Sequence, residues 1–154
     1  MKIKCLIIDD EPLAINVIKN YIEQIEELEL TNSFSNPIEG LNFLKNNIVD
    51  VIFLDINMPV LDGINFIKSL QNPPLLIITS AYDEFAIETY ELDVLDYLVK
   101  PIEFPRLMKA VNKIYKRLET ATKITQESTK EHSFIFYHFR LPPFSLINLK
   151  IISS

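Results

Sequence analysis

Glycine is nearly missing from this chain: Gly40 and Gly63 are the only two in 154 residues. A phosphate-cradling loop needs several glycines close together, because they let the backbone approach the anion. Gly-rich nucleotide loops are therefore excluded. Cysteine is scarcer still. Cys5 stands alone, so no internal disulfide can form, which fits a reducing compartment. No run of Lys or Arg occurs, and the net charge is −6. A DNA-binding surface finds no support in such a charge pattern. No apolar stretch approaches the roughly 20 residues that span a bilayer. Met1-Lys2-Ile3-Lys4 leads into an apolar run that soon meets Asp9, Asp10 and Glu11, too short for a secretory leader. No internal repeat is visible. A cytoplasmic address without membrane contact is the expectation.

What is present is apolar enough to fold. Hydrophobic residues make up 48% of the chain, which suits one domain with an appendage. Charge is uneven along it. Residues 1–119 hold 11 basic and 19 acidic side chains, a net −8, whereas residues 120–154 hold 4 and 2, a net +2.

Taken in order, apolar runs alternate with helical patterns. Ile3 to Ile8 ends in Asp9-Asp10-Glu11 and reads as a buried strand. Pro12 suits the first position of a helix, where its missing N–H needs no partner. Ala14, Ile15, Ile18, Ile22 and Ile25 then recur at three- and four-residue steps, the mark of an amphipathic helix. Leu28 to Phe34 is a second strand, more exposed. Asn36-Pro37 starts a second helix with Ile38, Leu41 and Leu44 as its stripe. Val51 to Leu54 has no alternating polar residue and enters Asp55, as expected of a strand buried on both faces of a parallel sheet. Asp62-Gly63 turns the chain into a third helix, Ile64 to Leu70. Leu75 to Thr79 is a fourth strand, and Ser80-Ala81-Tyr82-Asp83 leads into a fourth helix reaching about Leu92. Val94 to Val99 is a fifth strand, ending in Lys100-Pro101. A fifth helix begins near Glu103, with Leu107, Val111, Ile114 and Leu118 as its stripe. Five strand–helix units in sequence predict an α/β fold, a five-stranded parallel sheet with helices on both faces; the order expected for it is the doubly wound, flavodoxin-like 2-1-3-4-5.

Polar residues gather at the carboxyl ends of four strands: Asp9 and Asp10, Asp55, Thr79, and Lys100. A lone strand-end Asp is usually a cap or turn former. Four strands obeying one rule point instead to a site, because in open parallel sheets ligands bind at that edge. Three carboxylates together repel unless a cation joins them, and oxygen ligands of this kind suit Mg²⁺. A carboxylate can also act as a nucleophile and carry an acyl phosphate. Lys100 could then pair with a phosphate oxygen and the Thr79 hydroxyl donate to another. Cys5 reads as core, Met58 and Met108 as packing residues. His132 and His138 lack partners at metal-ligand spacing.

Asp9-Asp10-Glu11, Asp55-Ile56-Asn57-Met58-Pro59 with Asp62-Gly63, Thr79-Ser80-Ala81 and Lys100-Pro101, as a set over residues 3–119, resemble the receiver domain of two-component response regulators. Tyr82-Asp83-Glu84-Phe85-Ala86 and Leu95 to Ile102 look most like receivers of the LytTR class. The resemblance implies a phosphorylation-controlled signalling module, not an enzyme beyond assisting its own phosphorylation and dephosphorylation. Asp55 matches the phosphoacceptor. Asp10, Asp55 and the backbone carbonyl of Asn57 match direct Mg²⁺ ligands, and Asp9 matches a carboxylate acting through metal-bound water. Thr79 matches the switch hydroxyl, Lys100 the phosphate-pairing lysine, and Tyr97 the aromatic switch. The Lys100–Pro101 bond is expected to be cis.

The resemblance further implies a cognate histidine kinase as partner and a homodimer through the fourth helix, fifth strand and fifth helix. The acidic fourth helix (Asp83, Glu84, Glu88, Glu91, with Asp93 nearby) and the basic fifth (Arg106, Lys109, Lys113, Lys116, Arg117) suggest matched charges across that seam. The expected layout is a receiver over 1–120, a linker or frayed helix end over 121–133, and a tail or fragment of a LytTR-type output domain over 134–154. His132-Ser133-Phe134-Ile135-Phe136 resembles that domain's opening strand. The rest does not continue the pattern, so DNA contact would require an output domain that is incomplete here. The alternative reading is a phosphohydrolase of the haloacid dehalogenase kind. That family wants Asp-x-Asp after the first strand, and here Asp9 and Asp10 are adjacent.

Overall fold

The computed structural model describes residues 1–139, with side chains through residue 129. Its elements run β1 (Ile3–Ile8), α1 (Pro12–Glu23), β2 (Leu28–Phe34), α2 (Pro37–Leu44), β3 (Val51–Asp55), α3 (Gly63–Lys68), β4 (Leu75–Ser80), α4 (Ala86–Tyr90), β5 (Asp96–Val99) and α5 (Phe104–Phe139). The strands form a single sheet in the order β2-β1-β3-β4-β5, and each adjacent pair is parallel. The parallel sheet expected from the strand–helix alternation, and the order 2-1-3-4-5 expected for it, are the ones found.

Both faces of the sheet are covered, which is why its central strands lack polar alternation. Leu6, Ile8, Ile52, Leu54, Leu76 and Ile78 form one buried cluster with Phe66 and Ile67 of α3, and Leu41, Phe43 and Leu44 of α2 pack on it. The alternate residues Cys5, Ile7, Val51, Phe53 and Ile77 are completely buried too. Ile18 and Ile22 of α1, with Leu107, Ala110, Val111 and Ile114 of α5, are buried as that second layer requires. Tyr21 of α1 ties the layer together, donating its hydroxyl to the Ile102 carbonyl at 3.0 Å and packing on the Phe104 ring.

Local chemistry sets the helix starts. Asn36 accepts the Ile38 N–H at 2.9 Å, and Asp62 accepts the Asn65 N–H at 2.8 Å, each satisfying an orphan donor of a first turn. Gly63 is dictated by close approach: a Cβ there would lie 2.5 Å from the Asp55 carbonyl oxygen and 2.8 Å from the Ile56 Cα. Without it α3 could not start against the end of β3.

Three boundaries differ from the sequence expectation. α4 covers only Ala86–Tyr90, because Ala81 to Phe85 forms bends and turns: the Ser80 hydroxyl accepts the Tyr82 N–H at 3.1 Å and the Asp83 carbonyl accepts the Ala86 N–H at 3.1 Å. β5 starts at Asp96 rather than Val94, after Asp93 has turned left-handed at φ 55°. Finally, α5 continues through 121–133 to Phe139. Residues 132–136, expected as an opening strand, are helical there. A strand needs a neighbour to bond, whereas a helix satisfies its own backbone. Residues 140–154 of the expected tail lie outside the described residues. By contact, Met1–Ile114 is one compact unit and the remainder of α5 belongs to another.

Candidate functional site at the sheet's carboxyl edge

β1 and β3 are neighbours in the sheet, with Ile8 opposite Leu54, so the residues just beyond them emerge side by side. Neighbouring residues on a strand point to opposite faces, yet Asp9 and Asp10 both reach the site. β1 ends at Ile8, and beyond it the chain is free of strand alternation. Carboxylate oxygens of Asp9, Asp10, Glu11 and Asp55 all lie within 4.8 Å of one another. Asp9 and Asp55 are almost fully buried, at 1% and 2% exposure.

Among the described residues, one cation serves this cluster. Lys100, just past β5, places its Nζ 2.9 Å from Asp9 Oδ2, 3.3 Å from Glu11 Oε1 and 3.6 Å from Asp55 Oδ2. Asp9 Oδ1 accepts the Glu11 N–H at 2.9 Å, and Asp55 Oδ1 accepts the Asn57 N–H at 3.3 Å. Asp10 Oδ1 is buried without any partner, as is Thr79 Oγ1. Thr79 sits directly opposite Asp55 in the β3–β4 register. Buried polar atoms without partners are uncommon and point to something the site is built to receive.

The electrostatics agree. Burial, then the charge of Asp9, push the Asp55 carboxyl up to about 8, with Lys100 pulling the other way. Burial disfavours the Lys100 ammonium, but Asp9, Asp55 and Glu11 outweigh it and raise its pKa. The carboxylates outnumber the single ammonium, so a divalent cation fits the donor set: hard oxygen ligands, several of them, with one or two carboxylates free to bind. Asp9, Asp10, Glu11 and Asp55 are the side chains that could hold it. Asn57 lies on the same loop, two residues beyond Asp55.

A family model described as the response regulator receiver domain matches residues 5–112. The chain belongs to the response regulator receiver family. It is similar to the sensory transduction protein LytR of Staphylococcus haemolyticus, 37% identical over 124 residues, 79% of this chain and 48% of that one. The transcriptional regulatory protein BtsR of Escherichia coli is 34% identical over 131 residues, 84% of this chain and 51% of that one. The chain spans about half the length of the curated relatives it matches. Among solved structures, the response regulatory domain of mrkE from Klebsiella pneumoniae superposes with a TM-score of 0.71 at 33% identity, over 77% of this chain and 99% of that one.

Every side chain singled out from strand ends is thus at one edge, and the Lys100–Pro101 bond is cis. Tyr97 is half-buried on β5, and its hydroxyl donates to the Tyr82 carbonyl. Two features were not anticipated. Glu11, 61% exposed, shares the Lys100 ammonium, and its place beside Asp9-Asp10 was the available signal. Asp96 binds Arg106 and Lys113, and no sequence spacing announces that. Two of the five cations assigned to a dimer seam are therefore already engaged within the chain. Among the described residues, no helix is long and apolar enough to cross a membrane.

Proposed function

We propose that Asp55 accepts a phosphoryl group from the phosphohistidine of a cognate histidine kinase, and that the phosphorylated receiver controls transcription through an output domain. The observation that carries the reading is the convergence of buried Asp9 and Asp55, Asp10, and Lys100 at one sheet edge, with an unpartnered Thr79 hydroxyl beside them. Mg²⁺ held by Asp9, Asp10, Asp55 and the Asn57 carbonyl, when bound, neutralises the carboxylates and the incoming phosphoryl oxygens.

The chain's own residues do the rest. Asp55 must be ionised to attack, and its raised pKa keeps it protonated until the surrounding charge is balanced. An Asp55 carboxylate oxygen then forms the new O–P bond as the P–N bond to the imidazole breaks. Lys100, already within 3.6 Å of Asp55, turns from Asp9 toward the phosphoryl oxygens as a point charge. Thr79 Oγ1 has an unused donor for another oxygen. Thr79 and the half-buried Tyr97 are the residues assigned to the conformational response.

In this reading residues 1–120 are the receiver, 121–133 the linker and 134–154 a tail or a fragment of an output domain. The names of the relatives, a sensory transduction protein and a transcriptional regulator, support that output. Dimerisation through α4, β5 and α5 remains part of the proposal, with Lys109, Lys116 and Arg117 as the cations left for acidic α4. The test is intact mass after incubation with Mg²⁺ and acetyl phosphate. One added phosphoryl group, lost in Asp55→Asn, supports the assignment. An unchanged adduct in that variant rejects it.

A further inference from the structure

Among the described residues β5 is the last strand of the sheet, so one side of its backbone faces no neighbouring strand there. Lys100 N–H bonds the Ser80 carbonyl of β4 at 2.7 Å. Backbone groups alternate sides along a strand, which turns those of Tyr97 to the open edge. They are not left unbonded. Tyr97 N–H donates to Asp96 Oδ1 at 2.8 Å, and its carbonyl accepts from Arg106 Nη2 at 3.1 Å.

The same guanidinium forks onto both oxygens of Asp96, at 2.8 and 2.7 Å. Lys113 adds a contact at 3.2 Å, and the Asp96 side chain is only 6% exposed. Bidentate, charge-assisted bonds of this type are the strong and directional ones. Burial favours the neutral acid, but Arg106, the Tyr97 N–H and Lys113 together hold the Asp96 carboxyl below its ordinary value. Arg106 belongs to the first turn of α5, which starts at Phe104. Three residues beyond Tyr97, the same strand delivers Lys100 to the carboxylate cluster.

We infer that Arg106 is a positioning residue that makes the start of α5 move with β5. It grips the Tyr97 backbone and the Asp96 carboxylate at once, so a displacement of Lys100 at the site reaches α5 through one guanidinium. This inference rests on the phosphoacceptor reading for the stimulus, though not for the clamp itself. It separates two jobs of β5: the backbone is fixed to α5 at Tyr97, while the Tyr97 hydroxyl is held elsewhere, on the Tyr82 carbonyl.

Arg106→Lys distinguishes this role from simple stability. Lysine keeps a cation for Asp96 but cannot span Asp96 and the Tyr97 carbonyl together. Amide exchange of the full chain, read by NMR, is the first measurement. Tyr97 exchange should rise about tenfold in Arg106→Lys while Leu6 and Ile52 amides hold their protection. Asp96→Asn keeps an acceptor for the Tyr97 N–H but removes the ion pair, and serves as the second variant. In the second measurement beryllofluoride, a phosphoryl mimic, is added with Mg²⁺. The parent should shift amides near Thr79 and Lys100 and also from Leu107 to Ala110; in Arg106→Lys the first group should persist and the second fall to roughly half or less. Unchanged Tyr97 exchange, or full shifts in α5, overturns the inference. A parent that ignores beryllofluoride defeats the Asp55 reading instead, and the exchange result still judges the clamp.

Discussion

Without Mg²⁺, the protein should lose stability as pH rises, and Asp55 should be the cause. Burial and the charge of Asp9 raise its carboxyl from 3.8 to about 8. In an unfolded chain the group titrates near 4. Between these values the folded protein keeps a proton that the unfolded chain has released. A raised folded pKa contributes stability that is complete below about pH 4 and is lost as pH rises through about 8. Each pKa unit corresponds to about 1.4 kcal/mol, which sets a ceiling of about 6 kcal/mol. Coupling to Asp9 and Lys100 spreads the titration over a wide range, so the loss between about pH 5 and pH 8.5 should be ~2–3 kcal/mol. The assay is urea denaturation in EDTA across that range, on the parent and Asp55→Asn. The variant should match the parent near about pH 5, lack most of the slope, and be the more stable by ~2 kcal/mol at about pH 8.5. Saturating Mg²⁺ should flatten the parent as well. A flat parent in EDTA, or a variant with the parent's slope, refutes the reasoning.

Other outcomes follow from the same geometry. Mg²⁺ should raise the melting temperature by linkage, and Asp10→Ala should shrink that gain while raising the metal-free melting temperature; an equal gain in both would reject the cation site. Gly63→Ala should cost ~2 kcal/mol or more in denaturant melts, because its Cβ meets the Asp55 and Ile56 backbone. Gly40→Ala should cost less, since its obstacle is the Ile8 side-chain tip. Val60 is 88% exposed with φ at 72°, a strained state for a β-branched residue. Val60→Gly should therefore stabilise by ~1 kcal/mol in the same melts. Cys5 is fully buried and its thiol is pushed up to about 12, chiefly by burial. A thiol reagent should label it only after unfolding.

The fold was legible where burial alone determines the pattern. Ile3–Ile8, Val51–Asp55 and Leu75–Ser80 are strands within a residue or so of their apolar runs, because a strand covered on both faces tolerates nothing else. The site was legible for a related reason: strand ends on one edge bring together residues distant in sequence. Legibility failed where side chains compete with the helix ladder. The Ser80 hydroxyl accepts the Tyr82 N–H, which holds the chain in turns, and α4 starts only at Ala86. It failed again at Asp96–Arg106, a pair that meets only after the chain has turned from β5 into α5. The convergence of Asp9 with Asp10 needed β1 to stop at Ile8, and no residue pattern marks that stop.

The central claim is that Asp55 carries the phosphoryl group. The most direct measurement reduces the phosphorylated chain with borohydride, which converts an aspartyl phosphate to homoserine, and maps the product by peptide sequencing. Homoserine at position 55 and at no other aspartate is the outcome the account predicts. Homoserine at Asp9 or Asp10, or none at 55 in a chain that has gained phosphoryl mass, would contradict it.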